Sequence, residues 1–62
     1  MYEVFIAECK KEMSLRKWKH KDLANATGFK LSTIYTFFTD IPNRDKSQNV
    51  ARAISKALNI DL

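Results

Sequence analysis

The sequence predicts a small all-α protein, a compact bundle of four to five short helices in a single domain spanning residues 1–62. Two observations lead to this prediction. Apolar residues recur at intervals of three and four, the period of an amphipathic helix, whereas no segment alternates apolar and polar residues as a half-buried strand would. Glycine and proline occur only once each, so the positions where helices break are few and identifiable.

The first helix is predicted from about Tyr2 to Leu15. Phe5, Cys9 and Met13 recur every four residues with Ile6 beside them, which places one apolar stripe along the helix. Because Cys9 lies in that stripe, we expect its thiol to pack in the core rather than to react. A single cysteine cannot form an internal disulfide, which favours a reducing, cytoplasmic compartment.

The second helix is predicted to begin after Lys19 and to end at Gly28. Trp18 before this N-cap and Leu23 at the fourth helical position have the spacing of a hydrophobic staple. Asp22 falls at the third helical position, where a carboxylate suits the positive end of the helix. Lysine is a poor N-cap, so this start carries an energetic cost.

Gly28 is the only glycine of the chain, and it lies between two predicted helices. Helices that cross steeply through a tight turn need a residue that accepts the left-handed conformation, and a small residue, here Ala24, where the backbones approach. The third helix is predicted at about Leu31–Thr39. The residues expected to anchor this turn in the core are Leu23, Phe29, Ile34 and Phe37.

A turn follows the third helix, because Pro42 disfavours helix at the residue before it. The last helix is predicted to open at Asp45 or Ser47, and Asp45 has the spacing of a capping box with the residue three positions on. The apolar face expected for this helix is Val50, Ile54, Ala57 and Leu58. Ile60 and Leu62 follow, and the sequence leaves open whether they cap the core or form a dimer contact.

The charge distribution indicates a polyanionic partner. The net charge is +4, and the segment Met13–Lys21 holds four cations and the only histidine without any acidic residue. The other seven Lys and Arg are balanced by seven Asp and Glu. A short basic segment around an aromatic residue is the electrostatic footprint of polyanion binding, although a solvated lysine-rich surface has the same charge.

The residue types needed for catalysis or metal binding do not form a recognisable motif. One cysteine and one histidine, eleven residues apart, do not supply the ligands of a metal site, and one glycine cannot form a phosphate-binding loop. We therefore expect no enzyme activity, no metal and no cofactor. The chain also lacks an apolar run of about 18 residues and a basic N-terminal region, so we expect neither a membrane span nor a signal peptide.

The segment from Trp18 to Phe38 resembles the helix-turn-helix of the Xre/Cro-type family of phage and bacterial DNA-binding repressors. The closing stretch AISKALNIDL (Ala53–Leu62) is similar to the last helix of that family. The positions that match in register are Ala24, Gly28, Ile34 and Phe37. The resemblance covers about half of the chain and implies a lambda-repressor-like bundle with a central helix-turn-helix at about residues 19–39.

The resemblance also implies a function and its partners. It implies a small sequence-specific transcriptional regulator of Cro or repressor type, which binds a double-stranded DNA operator in the cytoplasm and takes no small-molecule effector. A homodimer on DNA would match two half-sites. Base contacts would come from the recognition helix and its borders, Lys30, Leu31, Ser32, Tyr35, Thr36 and Thr39. Phosphate contacts would come from Arg16, Lys17, Lys19, His20, Lys21, Asn43, Arg44 and Lys46.

Leu31 and Phe38 depart from the family's pattern, which usually has a polar residue at the first position and often a glutamate at the second. Leu31 could contact thymine methyl groups, and Phe38 could pack against the last helix. Alternatively, Leu31, Tyr35 and Phe38 could form an exposed apolar patch that binds protein. This alternative would make the chain a protein-interaction module, such as an antirepressor or an inhibitor of a host factor.

Overall fold

The computed structural model describes residues 3–39 and 48–61. Within these ranges the chain forms four helices and no strand: α1 (Glu3–Arg16), α2 (His20–Thr27), α3 (Leu31–Thr39) and α4 (Gln48–Leu58). The helices pack into a compact bundle with a radius of gyration of 10.3 Å, which confirms the predicted all-α fold. The turn predicted at Pro42 and the helix start predicted at Asp45 or Ser47 lie outside the described residues.

One hydrophobic core joins the four helices. The stripe predicted on α1 is buried along its length, from Phe5 to Met13. The largest side chains that are fully buried are Cys9, Leu23, Ile34, Phe37, Ile54 and Leu58. Phe29, Ala57 and Ile60 are half-buried and pack against this core from its edge. Ile60 therefore caps the core, while Leu62 lies outside the described residues.

The thiol of Cys9 lies inside the core, with none of its surface exposed. Burial, with a smaller contribution from the charge of Glu8, raises the pKa of this thiol from 9.0 to about 12. A thiol that stays protonated is neither a nucleophile nor a metal ligand. The structure thus agrees with a packing role for Cys9.

The raised pKa of Cys9 makes the stability of the fold depend on alkaline pH. Between pH 9 and 12 the unfolded chain releases the thiol proton while the folded chain retains it, so the free energy of unfolding should fall as the pH rises through this window. Below pH 9 this contribution is fully present. Urea unfolding of the wild type and of Cys9→Ala, measured between pH 8 and 11, would show a steeper decline for the wild type. Parallel pH profiles would contradict the assignment.

The start of α2 shows how the sequence compensates for a lysine N-cap. Lys19 has extended backbone angles at the predicted N-cap position, but a lysine side chain has no acceptor for the free amides of the first turn. The carboxylate of Asp22 supplies the other half of a capping box, in which it accepts a hydrogen bond from the backbone N–H of Lys19 at 2.7 Å. Trp18 precedes this position and lies half-buried against the core, as the staple spacing predicts.

Gly28 ends α2 in the left-handed conformation, with φ at 80°. Its N–H donates to the carbonyl of Ala24 at 2.9 Å, the single hydrogen bond of the αL capping motif. A Cβ atom at Gly28 would have nothing within 4 Å. Glycine is therefore required by the backbone angle and not by lack of space, and the small buried residue of this turn is Ala24.

Two other helices end in the same left-handed conformation without glycine. Lys17 follows α1 with φ at 57°, and Asn59 follows α4 with φ at 56°. The next residue in each case closes the six-residue hydrogen bond of a Schellman motif, from Trp18 N–H to Met13 at 2.8 Å and from Ile60 N–H to Ser55 at 3.0 Å. Asparagine tolerates this conformation better than lysine does, so Lys17 carries the larger strain.

These helix ends predict stability changes of opposite sign. Alanine is strained at the φ of Gly28, which destabilises the folded state, and the smaller conformational entropy of the unfolded variant offsets only part of this cost. Gly28→Ala should therefore lower the free energy of unfolding by about 1 kcal/mol. Lys17→Gly should leave stability unchanged or raise it by up to about 1 kcal/mol, since it removes the same strain. Urea unfolding would measure both. Asn25→Ala, at an exposed position inside α2, is the matched control, and a Gly28→Ala variant as stable as this control would contradict the prediction.

Candidate nucleic-acid interface

A helix, a three-residue turn and a second helix form the central unit of the fold, with α2 leading through residues 28–30 into α3. The carbonyl of Lys30 accepts the first helical hydrogen bond of α3, from the N–H of Ile34 at 3.1 Å. The inward face of this unit is buried at the predicted positions Leu23, Ala24, Ile34 and Phe37. Because these contacts fix one side of α3, its opposite side is held towards solvent.

The predicted base-contact residues lie on that outer side. Lys30, Leu31, Ser32, Tyr35 and Thr39 are exposed, and Thr36 is half-buried. Leu31 and Tyr35 are large apolar or aromatic residues with exposed fractions of 42% and 48%, and among the described residues Val4 and Leu15 of α1 are more exposed still, at 77% and 69%. The hydroxyl of Thr39 donates to the carbonyl of Tyr35 within the helix at 2.7 Å.

An aromatic stack connects the first residue of α2 to the outer face of α3. The ring of His20 lies parallel to that of Tyr35, with centroids 4.6 Å apart and an interplanar angle of 22°. The same histidine meets Phe38 edge-on at 5.2 Å. His20, predicted to contact phosphate, is thereby held at the edge of the α3 surface.

Phe38 belongs to the core, with only 8% of its surface exposed. It meets Phe37 edge-on at 5.7 Å and is covered on another side by His20. The interpretation in which Leu31, Tyr35 and Phe38 together form an exposed apolar patch is therefore wrong. Residues seven apart do share a helical face, but the start of α2 covers the end of this face that carries Phe38.

The guanidinium of Arg16 lies at the C-terminal end of α4. It donates to the carbonyls of Ala57 at 3.3 Å and Leu58 at 3.0 Å, where a cation also suits the negative end of the helix. Arg16 also lies 3.6 Å from the carboxylate of Glu12 and 5.4 Å from the ring of Trp18. These contacts link α1 to α4, and they favour a structural role for Arg16 over the predicted phosphate contact.

The remaining predicted phosphate contacts fall into separate groups. Lys17, Lys19 and Lys21 are exposed on the segment between α1 and α2 or at the start of α2. No described contact holds their ammonium groups in the fold, so they are available to a partner. Asn43, Arg44 and Lys46 lie outside the described residues.

An open groove of about 570 Å³ lies between the C-terminal half of α1, the start of α2 and the start of α3. It brings together five of the predicted contact residues, Lys19, His20, Lys21, Leu31 and Tyr35. The other predicted residues of α3 do not line it. Four further lining residues, Lys10, Met13, Ser14 and Trp18, were not predicted to contact a ligand. Lys10 and Ser14 are one helical turn apart on α1, a spacing that could have indicated them.

The described part of the chain contains neither a cluster of metal ligands nor a helix that could span a membrane. Within residues 3–39 and 48–61, no three His, Cys, Asp or Glu side chains come together in a way that could hold a metal ion. In the same ranges, every helix is too short or too polar to cross a membrane. Comparison with known proteins gives no match: no family model fits the chain, and neither a curated protein nor a solved structure is detectably similar to it.

Proposed function

We propose that this protein is a small sequence-specific DNA-binding regulator of helix-turn-helix type, with α3 as the helix that enters the major groove. The observation that carries the proposal is the two-sided character of α3. Its inner side is buried through Ile34 and Phe37, while Leu31 and Tyr35 are exposed on its outer side. The proposed regulator acts in the cytoplasm by occupying an operator and excluding competing proteins.

The dimensions and side chains of α3 suit a major groove. An α-helix is about 10–12 Å in diameter with its side chains, and the major groove is about 12 Å wide, so α3 fits into it. Ser32 and Thr36 offer hydroxyl groups to base edges. Leu31 and Tyr35 offer apolar contact to thymine methyl groups, which is a form of direct readout that needs no hydrogen bond.

Lys19 and Lys21 would supply the electrostatic contribution to binding. They flank His20, whose ring stacks on Tyr35, so the cations lie at the edge of the same surface as the outer side of α3. Lysines in this position would contact phosphates along one side of the groove and set the register of α3.

A pair of copies on DNA is part of the proposal. One domain with few phosphate contacts binds weakly, and two half-sites read by a symmetric dimer lie about 34–36 Å apart. The longest dimension of the backbone is 28 Å. Two copies placed side by side therefore fit consecutive major grooves on one face of the duplex.

The decisive experiment begins with selection of bound duplexes from a random pool, followed by affinity measurements between 50 and 200 mM salt. A defined recognition sequence should emerge. Its affinity should fall with salt with a log–log slope of about −0.9 for each phosphate contacted. Leu31→Ser should change the base preference without changing the salt slope. Absence of an enriched sequence, or an affinity independent of salt, would refute the proposal.

A further inference from the structure

The groove beside α3 has an apolar floor. This floor consists of Met13 of α1, Trp18 of the following turn and Leu31 of α3. Met13 is buried and Trp18 half-buried, so the floor is part of the folded bundle and not a set of mobile surface chains. The groove is open to solvent, and its volume of about 570 Å³ lies within the range of about 300–1,000 Å³ that is typical of ligand-binding pockets.

The rim of the groove is basic. Lys10, Lys19 and Lys21 lie around the opening, and all three are exposed. Among the described residues that line the groove there is no aspartate or glutamate. Three ammonium groups around an apolar depression are complementary to a partner that carries negative charges on either side of an apolar side chain.

From this geometry we propose that the groove binds an acidic peptide segment of another protein, anchored by a leucine or phenylalanine. The anchor side chain fills the apolar floor at Met13 and Trp18, and its neighbouring carboxylates pair with the rim lysines. A central apolar anchor inside a polar rim is the usual energetic organisation of a protein interface.

Duplex DNA does not fill this groove in the same way. Its phosphates can contact the rim lysines, and its base edges can meet Leu31 and Tyr35, but its apolar surfaces are stacked inside the helix. The floor at Met13 and Trp18 therefore has no partner in a DNA complex. A peptide side chain can reach that floor, which is why a peptide is the occupant that the groove favours.

Peptide and DNA would compete, because both need Lys19, Lys21, Leu31 and Tyr35. Because the peptide would bind only the DNA-free protein, it would weaken the apparent DNA affinity by the factor 1 + [peptide]/Kd, where Kd is the dissociation constant of the peptide. An acidic partner would thus release the regulator from its operator. This competition rests on the proposed DNA-binding function, whereas the peptide binding itself does not.

The only tryptophan of the chain is Trp18, and it reports on the groove directly. The probe is a synthetic eight-residue peptide of Asp and Glu interrupted by one Leu and one Phe. Titration should change Trp18 fluorescence saturably. Two matched peptides serve as controls, one with Ser in place of the Leu and Phe, the other with Lys in place of the acids. Neither control peptide should bind.

Leu31→Asp is the variant that tests the location. Leu31 is 42% exposed and is the first residue of α3, where an aspartate suits the helix end, so the variant should fold. Its affinity for the probe peptide should be at least tenfold weaker, while Lys56→Ala, at an exposed position on α4, should bind as the wild type does. Circular dichroism would verify that both variants are folded.

The outcomes separate the two proposals. Failure of the acidic peptide to change Trp18 fluorescence, or equal binding of the Ser-substituted peptide, would overturn the peptide site. Peptide binding that leaves a labelled duplex bound would overturn the competition. The Trp18 titration contains no DNA, so failure to find any bound duplex would count against the proposed function alone.

Discussion

Replacing Lys19 and Lys21 together by alanine is expected to weaken binding to every duplex, specific or not, by roughly 50-fold at 0.1 M salt. Each phosphate contact that is lost removes about 0.9 from the log–log salt slope, which corresponds to nearly tenfold in affinity at this salt concentration. Both residues are exposed, so the substitution should leave the core and the helix ends unchanged.

Fluorescence anisotropy with a selected duplex and a scrambled duplex, at several salt concentrations, would measure this effect. The slope should decrease by about 2 for the double variant. Lys11→Ala combined with Lys56→Ala is the matched control, because it removes the same charge at exposed positions away from the groove. Equal losses in the two double variants would mean that net charge alone drives binding, and the interface assigned to α3 would then be wrong.

Phe37→Ala is expected to leave the protein largely unfolded at 37 °C. Phe37 is 1% exposed and meets two other core rings edge-on, Phe5 at 6.2 Å and Phe38 at 5.7 Å. Deletion of a buried phenylalanine ring costs about 3–5 kcal/mol. A domain of this length has a total stability of roughly 3–9 kcal/mol, so the substitution removes between about a third and all of it.

Thermal unfolding followed by circular dichroism would show the loss as a midpoint lower by roughly 20 °C or more. Leu31→Ala is the comparison, since Leu31 also lies on α3 but is 42% exposed and should shift the midpoint only slightly. A Phe37→Ala variant that melts within a few degrees of the wild type would show that the core does not depend on this ring.

The helices of this protein could be predicted because their signals are local. The apolar period identifies α1, and α3 begins and ends as predicted at Leu31 and Thr39. Gly28 marks the end of α2 because glycine adopts the left-handed backbone angle without steric cost. Even the unfavourable N-cap at Lys19 could be predicted. The hydrogen bond from the backbone N–H of Lys19 to Asp22 was seen only in the structure.

The surface was less predictable, because its residues depend on neighbours that are distant in the chain. Leu31 and Phe38 occupy the same helical face by spacing, yet Leu31 is exposed and Phe38 is buried. Phe38 joins the core beside Phe37, and the ring of His20 lies against it from α2. In the same way, Arg16 was grouped with the basic segment, but the end of α4, more than 40 residues away, binds its guanidinium.

Periodicity and backbone preference act over a few residues, and for that reason the helical class, the buried stripes and the turn at Gly28 could be predicted. Which cations of the basic segment face a common surface depends instead on how the helices pack. The tertiary structure places Lys19 and Lys21 beside Leu31 and adds Lys10 from α1 to the same groove. Packing between helices sets these relations, and the spacing of residues along a single helix does not contain them.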